Sequence, residues 1–95
     1  MKGVLTSLAL AELEEIMRFL SSRSPSGAAK VEARIKQVLM MISEQPFGSQ
    51  EIEDRPGIRR APLVSYPYVI YYRVTKTEVE IIRVRHGARR GPWES

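Results

Sequence analysis

The chain has 95 residues, a formal net charge of +4, 43% apolar residues and 27% charged ones. That is the length of one small domain, spanning residues 1–95, and a composition too apolar for a disordered chain. It has no cysteine, which excludes a disulfide framework or a thiolate metal site, and no apolar run long enough to cross a membrane.

Residues 2–6 are short and partly apolar and read as a first strand, with Thr6 or Ser7 placed to cap a helix. Leu13, Ile16, Met17 and Leu20 then recur at i, i+3, i+4 and i+7, with Glu12, Glu15 and Arg18 opposite. This spacing predicts an amphipathic helix over residues 8–22. Glu12, Glu14 and Glu15 interrupt the apolar stretch, so the N-terminus reads as mature protein rather than a signal peptide. Ser24 followed by Pro25 has the pattern of an N-cap with proline at the first helical position. The second helix runs to about residue 44, with Val31, Ile35, Val38, Leu39 and Ile42 as its apolar stripe and Pro46 as its stop. Residues 45–56 read as a loop, with Pro46, Gly48 and Pro56-Gly57 as breakers. Three segments rich in β-branched and aromatic residues follow, at 58–64, 68–74 and 79–85. Their short connections imply antiparallel neighbours. The tail from His86 onward, with two glycines and a proline, reads as extended.

The order is therefore β-α-α-β-β-β. The expected fold class is α+β, a small antiparallel sheet covered on one face by an N-terminal helical hairpin. Alternation sorts each strand into two faces. Ile70, Tyr72 and Val74 belong to one, and Val69, Tyr71 and Arg73 to the other. On the last strand Ile82 and Val84 share one face, and Ile81, Arg83 and Arg85 the other. With the more apolar set under the helices, Tyr71, Arg73, Arg83 and Arg85 fall on the open face, joined by Arg59 or Arg60.

Charge follows the same division. From Ile58 onward seven arginines and Lys76 stand against Glu78, Glu80 and Glu94, so the basic excess lies in the C-terminal half. An arginine fork suits phosphate or carboxylate, and arginines on adjacent strands repel unless something neutralises them. The expected partner surface is Arg59, Arg60, Tyr71, Arg73, Arg83, Arg85, Arg89, Arg90 and Trp93. The plainer reading is a solvated sheet face kept for solubility. No metal-ligand cluster, phosphate loop or nucleophile motif is present, so neither a metal nor a cofactor is expected.

Three stretches resemble the RelE/ParE toxin superfamily. They are A-L-A-E-L-E-E-I (9–16) with S-P-S-G-A-A (24–29), P-G-I-R (56–59), and Y-P-Y-V-I-Y-Y-R-V (66–74) with I-I-R-V-R-H-G-A-R-R (81–90). The resemblance implies the toxin of a bacterial type II toxin–antitoxin pair, plasmid- or chromosome-borne, acting in the cytoplasm to arrest growth. It implies an antitoxin whose C-terminal segment wraps the toxin, often in a groove between sheet and helices. RelE-like members cut messenger RNA on the ribosome, whereas ParE-like members inhibit DNA gyrase. RNA-cleaving members usually carry an arginine near the start of the third strand and often a tyrosine, or a histidine–tyrosine pair, near the end. Here Val69 stands at the first position, and the tail has His86 and Trp93 but no tyrosine. The expectation is a ParE-like gyrase inhibitor rather than an enzyme. The alternative is a ribosome-dependent endoribonuclease using Arg59, Arg60, Arg83, Arg85 and His86, with His86 as acid or base.

Overall fold

The structure, a computed structural model, describes residues 1–87. Strand β1 (Lys2–Leu5) is followed by helices α1 (Ser7–Arg23) and α2 (Pro25–Glu44), then by β2 (Gln50–Ile52), β3 (Arg55–Pro62), β4 (Tyr68–Val74) and β5 (Glu78–His86). The strands form one sheet in the order β1-β5-β4-β3-β2. β2 to β5 are successive antiparallel neighbours, while β1 joins β5 in parallel, with Leu5 opposite Ile81. A parallel pair needs a long crossover, and the helical hairpin is that crossover.

Both helices start where their caps dictate. The Thr6 hydroxyl accepts from Ala9 N at 3.1 Å, and the Ser24 hydroxyl from Gly27 N at 3.1 Å. Each satisfies one of the amides that a helix start leaves without an intrahelical partner. Ala28, Val31, Ile35, Val38 and Ile42 turn the stripe of α2 into the core. Of these, Val31, Ile35, Val38 and Ile42 meet Ala61, Ile70, Tyr72, Val79, Ile81 and Val84 from the sheet, and α1 adds Ala9, Leu13, Ile16 and Leu20.

Beyond the parallel pairing of β1 in a sheet expected to be antiparallel, two features depart from the reading of the sequence. The segment expected as a loop contains β2, which pairs with β3 across a turn at 53–54 and carries a register shift between Glu51 and Ile52. β3 accordingly begins at Arg55 and runs through Pro56 and Gly57, which adopts φ +89°. The breakers shape this hairpin rather than end it.

The second departure lies in β5. Tyr71 pairs with Arg83 but Tyr72 pairs with Ile81, so Ile82 is an extra residue, a β-bulge. Strict alternation is lost there. Ile81 and Val84, expected on opposite faces, are both core residues, and Ile82 is only partly buried. The bulge restores Val84 to the core while Arg83 and Arg85 keep their places opposite Tyr71 and Val69.

Candidate partner-binding groove

β1 is only four residues long, and its length decides where a groove opens. It covers the outer edge of β5 as far as Ile81. The chain then turns into α1 at Thr6, which uses its own groups to extend that cover by one residue. Its N–H donates to Ile81 O at 3.0 Å and its hydroxyl to Ile82 O at 3.3 Å. Past Ile82 no strand flanks this edge among the described residues. Between the edge and α1 lies a cleft of about 370 Å³, lined by Glu12, Glu15, Ile16 and Phe19 of the helix and by Tyr68, Arg83, Val84, Arg85 and His86 of the sheet. Its helix wall is amphipathic, because positions 12, 16 and 19 follow the i, i+4, i+7 spacing of one helical face.

Glu12 closes the inner end of this cleft. Its carboxylate accepts from Arg83 Nε at 3.0 Å and from Arg83 Nη2 at 2.7 Å, a bidentate fork. It also accepts the backbone N–H of Val84 at 3.0 Å. Its hydrogen bonds hold the Arg83 guanidinium above the ordinary arginine range, against the opposing effect of burial, and its negative charge adds to this. Further out, His86 is exposed and stands edge-on to the Tyr68 ring, with centroids 5.6 Å apart. Phe19 is half-exposed, with the guanidinium of Arg23 over its ring at 4.4 Å.

The arginines expected on one open face are dispersed. Arg59 faces the other way, since its register partner is the core residue Tyr72. It donates to Ser49 O at 2.6 Å and to Phe47 O and Glu51 at 3.4 Å, so it braces the loop leading into β2. Arg60, opposite Tyr71, is the one on the face away from the helices, and it is exposed. Tyr71 shares that face but is buried. Arg73 pairs with Glu80 across the β4–β5 ladder. Arg83 and Arg85 line the cleft. Arg89, Arg90 and Trp93 lie outside the described residues. Repulsion between arginines on neighbouring strands is thus relieved partly by the chain's own glutamates, Glu80 and Glu12.

The helix side of the cleft was absent from the sequence reading, which placed Glu12 on a solvated helix face and singled out neither Ile16 nor Phe19 as contact residues. No local pattern marks Glu12, because Arg83 is 71 positions away. Among the described residues no group of three or more histidines, aspartates or glutamates stands where it could hold a metal ion. Among the described residues no side-chain polar atom is buried without a hydrogen-bond partner. The cleft offers the Arg85 cation, an Arg83 fork held by Glu12, apolar side chains and an unflanked strand edge, a set suited to receiving an extended peptide.

The chain is thus a helical hairpin on a small sheet, with a groove between α1 and the last strand. The family model described as the ParE toxin of the type II toxin–antitoxin system parDE matches residues 4–91. The chain belongs to this ParE toxin family. It is 34% identical over 91 residues to the candidate toxin Y4kP of Sinorhizobium fredii (strain NBRC 101917 / NGR234), covering 92% of this chain and 88% of that one. It is 34% identical over 90 residues to Toxin RelE2 of Caulobacter vibrioides (strain ATCC 19089 / CIP 103742 / CB 15), covering 90% and 94%. Its fold matches a chain of the chromosomal ParDE toxin–antitoxin system from P. aeruginosa with a TM-score of 0.77 and 25% identity, over 90% of this chain and 95% of that one. A toxin of this family implies an antitoxin as partner.

Proposed function

We propose that this toxin works by binding rather than by cleaving, as a ParE-like inhibitor of DNA gyrase in the cytoplasm, and that its antitoxin is held in the groove between α1 and β5. The observation that carries the reading is the chemistry of the groove. It combines the Arg83 and Arg85 cations, the apolar surfaces of Ile16 and Phe19 and a strand edge. Those are the elements of peptide recognition by strand addition with charge matching. Cleavage of RNA needs a base for the 2′-hydroxyl, an acid for the leaving oxygen and cations for the phosphate. Cations are plentiful here, whereas His86 is the one histidine among the residues lining the cleft. On a plasmid, such a pair would stabilise inheritance by arresting cells that lose the antitoxin.

A second reading is favoured by one specific contact. His86 and Tyr68 stand together in the lining of the cleft, which Arg83 and Arg85 share. In a ribosome-dependent endoribonuclease those four would be the reacting set.

Pulse-labelling just after induction without antitoxin separates the two. Gyrase inhibition is expected to stop DNA synthesis first while translation continues. An early stop in translation overturns the gyrase reading and moves attention to His86→Ala, which would then abolish toxicity.

A further inference from the structure

The outer edge of β5 is covered by a series of substitutes for a neighbouring strand. β1 pairs with it up to Ile81, the Thr6 hydroxyl takes Ile82 O, and the Glu12 carboxylate takes the N–H of Val84. Glu12 performs both tasks that a strand laid along this edge would perform. It accepts the outward-pointing amide, and it neutralises the Arg83 guanidinium. A backbone N–H is a single donor. A strand added at the usual spacing of about 4.8 Å would bring its own carbonyl to the place the carboxylate now fills.

We propose that Glu12 is an exchangeable stand-in for the antitoxin. The entering segment takes over the Val84 N–H with a main-chain carbonyl and the Arg83 fork with a carboxylate of its own, and Glu12 swings out to solvent. This rests on the groove being the antitoxin site. The chemistry of the occupant follows from what Glu12 leaves behind. The Arg83 side chain is 22% exposed, and a part-buried guanidinium left without its anion is disfavoured. An uncharged segment is therefore rejected. An extended segment bearing Asp or Glu, flanked by apolar side chains that rest on Ile16 and Phe19, is accepted. Arg85 beside the same cleft adds to the attraction, against the opposing charge of Glu15 on the helix wall. In the absence of antitoxin, the same contact shields the edge from pairing with other chains.

The test uses the full chain and, as probe, the purified protein whose co-expression relieves its growth arrest. Glu12→Gln keeps the shape but weakens the stand-in's hold on Arg83, so it is expected to bind the antitoxin roughly tenfold more tightly. Arg83→Gln is expected to bind roughly tenfold more weakly. In the wild-type chain, the Glu12 side-chain carboxyl signal in NMR should move toward that of a solvated glutamate when antitoxin binds, while the Val84 amide stays protected from exchange. Equal or weaker binding by Glu12→Gln, with an unchanged Glu12 signal in the complex, overturns the exchange and makes Glu12 a fixed lock. Should Glu12→Gln fail to fold, the wild-type Glu12 signal and the Val84 exchange rate decide alone. If antitoxin binds but leaves Ile16, Phe19 and Tyr68 unperturbed, the groove reading itself fails, a result distinct from a persistent Glu12 contact.

Discussion

Tyr72 has no exposed surface, and its hydroxyl donates to the carbonyl of Pro46 at 2.8 Å. It ties the centre of the sheet to the turn that follows α2. Arg59, its register partner on β3, donates to the carbonyl of Ser49 a few residues further along the same connection. Removing the hydroxyl alone leaves the ring in the core and a partly buried carbonyl without its donor. That loss costs about 1 kcal/mol, or roughly 5 °C in a domain of this size. Thermal unfolding of Tyr72→Phe measures it. A Tm equal to wild type would mean that water replaces the hydroxyl without loss, and that the turn owes its position to Arg59. A tyrosine on an alternating strand is legible as a sheet residue, and its face is legible too. The carbonyl it reaches is not, because that contact links residues 26 positions apart. Glu12 and Arg83 show the same limit over a longer span, and for that reason the helix wall of the groove escapes a reading by periodicity.

At the scale of elements, periodicity and capping do well where packing is one-sided. The stripes of α1 and α2, the Ser24-Pro25 start and the span of β4 are all legible, because each has one face to bury and a stop signal beside it. What fails is the strand whose pattern is interrupted. β2 is three residues long and pairs at the rim of the sheet, so it carries no period of its own. The bulge at Ile82 shifts half of β5 by one residue, and nothing in I-I-R-V-R shows which isoleucine is the extra one. Gly57 gives this argument a measurable edge. Its φ of +89° lies in the left-handed region, yet a side chain there would meet nothing within 4 Å. Any penalty on substitution is thus a backbone penalty. Gly57→Ala is expected to destabilise the chain by about 1 kcal/mol, the left-handed strain outweighing the entropy gained by restricting the unfolded chain. Gly57→Asn should lose less, since asparagine tolerates this region. Equal losses for alanine and asparagine in denaturant titrations would point to a missing contact instead of backbone strain.

The whole molecule is a small core under a partly apolar exterior. A domain of 95 residues buries a modest share of its surface. Leu8, Leu10, Phe19, Met40, Met41 and Phe47 remain about half exposed or more. Stability therefore couples strongly to anything that binds only the folded form. At an antitoxin concentration a hundredfold above Kd the added stability is about 2.7 kcal/mol. A domain of this length gains roughly 4–8 °C for each kcal/mol, so the toxin's Tm should rise on the order of 10–20 °C in the complex. The location of that gain can be read with two surface variants. Phe19 lines the groove beside β5, whereas Met40 lies on α2 beside a separate cleft against β1. Both side chains are exposed, so Phe19→Ser and Met40→Ser should each change the free chain by no more than about 0.5 kcal/mol. With antitoxin held at a hundredfold above the wild-type Kd, Phe19→Ser is expected to lose about half or more of the Tm increment and Met40→Ser to keep it. The reverse pattern would move the antitoxin to the α2–β1 side of the molecule, and the groove beside β5 would then be free to meet the toxin's target.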